Sequence, residues 1–211
     1  MLEDDVDWDI RIRPQMRDFA RASRLLIQPL QDTSDEYLDS TNPQPSTDQE
    51  HEDIFIDIGG VKAPTTSPYG DINRGDVLWL GHCGNRLPRP SDGNTPLGRV
   101  PLHDDETVPE YQHLDLGFSN DDLLLQYPEH IRVVARARHT TCSLAYGISL
   151  GGARRIMWEL GVRNMSVPFD IMSQYICDGT EGRELGMCLS VQPQLFQHNR
   201  PAGLRAVYSD L

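Results

Sequence analysis

An α/β domain is the fold class this 211-residue sequence predicts, because runs with the two-residue period of strands share the chain with segments spaced like amphipathic helices. The strand pattern is plain in Arg132-Val-Val-Ala-Arg-Ala-Arg138, and the helix pattern in Met16, Phe19, Ala20, Ser23, Leu26, Ile27 and Leu30. A hydrophobic content of 38% suffices for one sizeable core, with or without a peripheral insertion. One globular domain over residues 1–211 is the expectation.

The chain opens with Glu3-Asp-Asp-Val-Asp-Trp-Asp9, in which five of seven residues are carboxylates. Such a run repels itself unless it is solvated, as an acidic tail is, or gathered around a cation. Carboxylate oxygens suit hard ions such as Mn²⁺ and Mg²⁺. Pro14 fits the first turn of the following helix, which ends near Pro29. Residues 31–75 are rich in Ser, Thr, Pro, Gly and acid, and predict a mobile surface insertion with room for one short strand at Ile54–Ile58.

Asp76-Val-Leu-Trp-Leu-Gly-His82 is an apolar run bounded by turn residues and reads as a buried strand. The stretch holding Pro88, Pro90, Pro96 and Pro101 reads as loop. Arg132–Arg138 and Cys142–Ile148 read as strands lying close together. Ser149 is placed to cap a helix through Ala153, Ile156, Met157 and Leu160 that stops at Gly161. Pro168 opens another helix, carrying Phe169, Met172, Tyr175 and Ile176 and ended by Gly179. Leu189–Phe196 reads as a final strand with a proline break at Pro193, followed by a polar tail. No internal repeat is present.

A net charge of -13 argues against a nucleic-acid partner. Much of it is local, since Leu25–Val61 contains no Lys or Arg but nine of the 32 acidic residues. Lys62 is the single lysine, so cationic positions favour the planar guanidinium that suits carboxylates and phosphates. Cys83, Cys142, Cys177 and Cys188 lack CxxC spacing, which argues against a zinc site. Cys177 and Cys188 are spaced to close a short disulfide loop, although four reduced thiols fit the sequence equally. No window reaches the roughly 18 apolar residues of a membrane span, and no signal peptide precedes Glu3. The sequon Asn164-Met165-Ser166 is compatible with a lumenal location.

Four stretches in order resemble glycosyltransferase family 25, its fungal members especially. They are Glu3–Asp9, Asp76-Val-Leu-Trp-Leu-Gly-His-Cys-Gly84, Ala145-Tyr-Gly-Ile-Ser-Leu-Gly-Gly-Ala-Arg154 with its following helix, and Val191-Gln-Pro-Gln-Leu-Phe-Gln-His198. The family includes lipopolysaccharide and collagen galactosyltransferases, so the resemblance implies a GT-A-like, Rossmann-like fold. It also implies an inverting transfer of a hexose, galactose above all, from a UDP-sugar to a hydroxyl of a glycan or protein acceptor. A lumenal site in the Golgi or secretory pathway is implied if the full-length protein carries a signal or anchor, and a cytoplasmic one otherwise.

The resemblance also distributes roles. The acidic triplet of such enzymes ends a strand and holds Mn²⁺ or Mg²⁺ against the donor diphosphate. On a strand, Glu3, Asp5 and Asp7 point one way and Asp4 the other. Asp5 is then the direct metal ligand, with Glu3 or Asp7 in support, and Glu3 and Asp4 contact the nucleotide sugar. His198 matches a position that supplies a further metal or phosphate contact, the alternative being a surface histidine. Asp170 matches an aspartate placed to take the acceptor's proton, the alternative being a carboxylate that favours a helix N-terminus.

Other residues carry less. His103-Asp-Asp-Glu106 reads as a solvated loop rather than a second acidic site, and Trp79 and Trp158 as core residues rather than sugar platforms. Trp8 either anchors a strand end or lines the donor pocket. Arg154 and Arg155 open a helix, where they reach a phosphate or only water. The family places a nucleotide-binding strand and helix before the acidic triplet, whereas only Met1-Leu2 stands before Glu3 here. The resemblance therefore implies that the N-terminal nucleotide-binding part is missing. Two alternatives follow, a non-catalytic transferase fragment and an acidic protein that binds basic partners through residues 32–57.

Overall fold

The computed structural model describes residues 1–46, 48–114, 116–118 and 122–199. The polar tail expected after Phe196 lies outside them from Arg200 onward. In chain order the elements are β1 (Val6–Trp8), α1 (Ile12–Ile27), β2 (Val77–Gly81), β3 (Arg99–Leu102), α2 (Asp122–Gln126), β4 (Arg132–Arg136), β5 (Ala145–Ile148), α3 (Leu150–Trp158), α4 (Phe169–Asp178), β6 (Cys188–Gln192) and β7 (Phe196–His198). The strands form one sheet in the order β1-β7-β2-β6-β4-β3, with β5 also paired to β2. Strand β2 runs parallel to β6 and meets β7 in parallel at Gly81↔Phe196, while the other pairs are antiparallel. The domain is thus α/β with a mixed sheet, as its alternating periods foretell.

The two-residue period sorts the core into two sides. Leu78, Leu80, Leu189, Val191 and Val134 pack with Phe19, Ala22, Leu25 and Leu26 of α1. Val77, Trp79 and Cys188 face the other way, against Ile156 of α3 and Ile176 and Cys177 of α4. Helix α1 ends where its sequence says, because Gln28 turns to extended backbone before Pro29. Ser149 caps α3 by accepting the Gly152 amide at 2.9 Å. Gly179 ends α4 in the left-handed conformation.

Several expectations are corrected. Strands β4 and β5 are not neighbours, since β6 and β2 stand between them. Residues 142–144 do not join β5, whose pairing with β2 begins at Ala145↔Gly81. The proline-rich stretch yields β3, and Pro101 is tolerated there because β3 lies at the end of the sheet order. The expected last strand divides into β6 and β7 around Pro193, which cannot donate to a ladder. The helix at 150 runs past Gly161 as a π-helical turn over Glu159–Arg163. Trp79 is core at 1% exposure, but Trp158 is 59% exposed. It lies two residues beyond the buried Ile156 and therefore on the opposite face of α3.

Residues 31–75 contain no named helix or strand among those described, yet they are tied to the core. Ile54 belongs to the α1-side core, and its amide donates to the Arg99 carbonyl at 2.7 Å. The short strand expected at Ile54–Ile58 is only an isolated bridge, Asp53↔Arg99, laid along β3. Buried Asp39 accepts the Thr41 amide at 2.9 Å and the Gly98 amide at 3.1 Å.

Candidate functional site

Strands β1 and β7 pair with Val6 opposite His198 and Trp8 opposite Phe196. This register carries the start of the chain to its last described strand. Asp5, just before β1, accepts the Asn199 amide through its carbonyl at 2.7 Å. Its Oδ2 then lies 3.1 Å from His198 Nδ1, although the two residues are 193 positions apart. Both side chains are partly exposed. Because β2 and β7 are parallel at Gly81↔Phe196, Cys83, just past β2, and His198, the last residue of β7, lie at the same carboxyl end. In α/β sheets that end is where ligands bind.

The other ring nitrogen of His198, Nε2, lies 3.4 Å from Cys83 Sγ. Cys83 is joined by a disulfide to Cys142, with Cα atoms 5.4 Å apart. A second disulfide joins Cys177 to Cys188, the pair whose spacing suits a short loop. Cys142 has a positive φ of 59°, and its amide donates to Asp170 Oδ2 at 2.9 Å. Next to it, Ser143 Oγ donates to Glu3 Oε1 at 2.8 Å, and the Glu3 amide donates to the Leu144 carbonyl at 2.9 Å. Four of the six residues singled out in the sequence, Glu3, Asp5, Asp170 and His198, thus converge on the Cys83–Cys142 bridge and its neighbour Ser143.

The remaining two stand differently. Strand β1 begins only at Val6, and Asp4 and Asp5 form a turn before it. No single strand face therefore carries Glu3, Asp5 and Asp7, and the expected alternation is replaced by a bend that acidic turn formers favour. Asp7 is exposed, and its Oδ1 accepts the Trp8 amide at 2.8 Å. Asp4 is exposed in the turn. Asp9, the last acid of the run, is drawn off by Arg11, whose side chain and amide hold its carboxyl below the usual carboxylate range. Trp8 packs on Phe196 with ring centroids 5.9 Å apart, so it does anchor the strand end.

Asp170 sits in the first turn of α4 and spends Oδ2 on the Cys142 amide, which fixes the loop carrying the disulfide. Arg155 pairs with Asp76 at 3.2 Å and donates to the Glu184 carbonyl, rather than facing the acidic cluster. His103 and Asp104 are exposed, and Glu106 is exposed beside Arg11. Asp105 instead pairs with buried Arg132 at 2.8 Å.

Reading the sequence misses three contributors. Cys83 and Cys142 are 59 residues apart, so spacing gives no hint of their bond. Gly117 adopts a φ of +57°, and a Cβ there would strike the Cys83 carbonyl, so the loop passes close only because it is glycine. Phe118 follows, donating its amide to the Cys83 carbonyl at 2.7 Å and exposing 85% of its surface beside the cluster. The Gly-Phe pair inside an acidic loop is the one sequence signal for it. A largely apolar cavity of about 290 Å³ adjoins the Glu3 side, lined by Leu2, Tyr69, Leu78 and Tyr146 among others. Burial raises the Tyr146 hydroxyl above the ordinary tyrosine range.

The sequence matches no family model, and neither the curated proteins nor the solved structures include a significant match. No helix among the described residues is long and apolar enough to cross a membrane.

Proposed function

We propose that this chain is a GT-A-like, metal-dependent inverting glycosyltransferase of the family 25 type, moving a hexose from a UDP-sugar to a hydroxyl acceptor. The observation that carries the reading is the 3.1 Å approach of Asp5 Oδ2 to His198 Nδ1 at the carboxyl end of β2 and β7. Two cis ligands on an octahedral ion with bonds of about 2.1 Å stand about 3 Å apart, so these donors need little movement to share one. An oxygen and an imidazole nitrogen are a donor set that Mn²⁺ accepts. A bound Mn²⁺ or Mg²⁺ would neutralise the charge that builds on the departing diphosphate.

The chain's own residues supply the rest. Asp5 and His198 hold the ion, with Asp7 at the edge of the same strand pair. Glu3 and Asp4, ahead of β1, are the residues assigned to the nucleotide sugar. Asp170 is the carboxylate assigned to the acceptor proton, and releasing the Cys142 amide would free its Oδ2 for that task. Two disulfides and the sequon at Asn164 support a lumenal, oxidising compartment. Donor hydrolysis or transfer measured with Mn²⁺ tests the reading. The intact chain should turn over UDP-hexose and Asp5→Ala should lose at least about 100-fold, as removal of a charge-stabilising group does. Equal rates in both would discard the metal site.

A further inference from the structure

We propose that Cys83, Cys142 and His198 form a second, redox-gated metal site, which takes a soft divalent ion such as Zn²⁺ when the Cys83–Cys142 bond is open. Ligand atoms of these three residues lie within 4.8 Å of one another. The imidazole is already set for the task. Its Nε2 faces Cys83 Sγ at 3.4 Å, and its Nδ1 faces Asp5 Oδ2 at 3.1 Å. Metal-bound histidines show this arrangement, in which the nitrogen away from the metal donates to a carboxylate that fixes the tautomer and strengthens the ligand.

Thiolate and imidazole select Zn²⁺ over Mn²⁺ and Mg²⁺, so this site differs in chemistry from the one proposed at Asp5. Two thiolates on a tetrahedral ion with bonds of about 2.3 Å stand about 3.8 Å apart. The cysteine Cα atoms, 5.4 Å apart, permit that by side-chain rotation. Three protein ligands leave a fourth position for water. Access also separates the two disulfides, because Cys83 and Cys142 are half-buried whereas Cys177 and Cys188 are 2% and 1% exposed. A dithiol reductant therefore meets the first bridge more readily. It passes two electrons and two protons to the bridge, giving two thiols and the reductant's own disulfide, and the arriving ion then displaces both protons. In an oxidising compartment the bridge stands, and in a reducing one the ion takes its place.

The inference shares His198 and Asp5 with the transferase reading but concerns the reduced chain and the opposite imidazole nitrogen, and a cobalt titration tests it. The chain is treated with limiting dithiol under anaerobic conditions in the presence of Co²⁺, a spectroscopic stand-in for Zn²⁺. Alkylation and peptide mass mapping then show which cysteines have opened. One equivalent of Co²⁺ should bind with a thiolate-to-cobalt charge-transfer band and the visible spectrum of a tetrahedral ion, and Zn²⁺ should displace it. The oxidised chain should show neither signal. Asp5→Asn should weaken the reduced site by about 10–100-fold, and His198→Ala, which keeps both cysteines, by more. Absence of the band after reduction, its persistence in Cys83→Ser, or unchanged affinity in both Asp5→Asn and His198→Ala would overturn the site. Because the transferase reading is tested on the oxidised chain, either can fail without the other.

Discussion

Replacing both Cys83 and Cys142 by alanine should cost about 4 kcal/mol of stability, nearly all of it through the unfolded chain. The bridge closes a loop of 59 residues. Chain-entropy arguments assign such a cross-link about 4 kcal/mol at room temperature, against about 3 kcal/mol for the 11-residue loop between Cys177 and Cys188. In the folded state the linked segments are held by other means. The Cys83 amide donates to the Thr141 carbonyl at 2.9 Å, the Thr141 amide to the Gly84 carbonyl at 3.0 Å, and β2 pairs with β5 from Val77↔Ile148 to Gly81↔Ala145. Removing the sulfurs leaves those bonds intact, and the half-buried site opens little new cavity. Urea denaturation of the oxidised wild type and the double variant, monitored by tryptophan fluorescence and far-ultraviolet circular dichroism, measures the difference. A loss below about 1 kcal/mol would refute the entropic reasoning. A changed native spectrum would show instead that the bridge organises the folded loops.

Three further outcomes are expected. His82 is buried and its Nε2 donates to the Val191 carbonyl at 2.9 Å, and burial lowers its pKa from 6.5 to about 4. Its neutral form is the native one, so it contributes stability above pH 6.5, lost as pH falls toward 4. Wild type should lose about 3 kcal/mol more than His82→Gln across that window in urea titrations, and parallel curves would contradict this. Asp39→Ala strands the Thr41 and Gly98 amides, so it should cost about 2 kcal/mol and speed proteolysis within residues 31–75. Unchanged cleavage there would contradict the anchoring. Trp79→Ala should cost about 3–5 kcal/mol by emptying the core, and exposed Trp158→Ala less than about 0.5 kcal/mol, a ranking that thermal denaturation checks directly.

Local patterns carried the helices and the central strands into view, because they act within a few residues. Helix α1 is legible from its spacing and from Pro29, α4 from Pro168 and Gly179, and β2 from its apolar run. Long-range pairing is not legible in that way. The separation of β4 from β5 depends on β6 slipping between β2 and β4, strands that begin at Val77 and Arg132, far before its own start at Cys188, and no periodicity reports that. The sequence places Trp158 in the core because an apolar pattern identifies a helix but not which of its faces lacks a neighbour. At the site, residue types pointed to Asp5 and His198 separately. Their contact rests on the β1–β7 register, which joins residues 193 positions apart. The bend at Asp4 and Asp5 was hidden because consecutive acids fit a strand end and a turn alike. Cys177 and Cys188 are readable as a pair through their spacing of 11, whereas a spacing of 59 between Cys83 and Cys142 leaves no trace.

Calorimetric titration of the oxidised chain with UDP shows whether Asp5 and His198 hold a divalent ion against a nucleotide diphosphate, as we propose. With Mn²⁺ present, saturable heat should appear that vanishes on chelation and is lost in both Asp5→Ala and His198→Ala. Heat that is absent with Mn²⁺, or that persists unchanged in the two variants, would show that these residues hold no such ion.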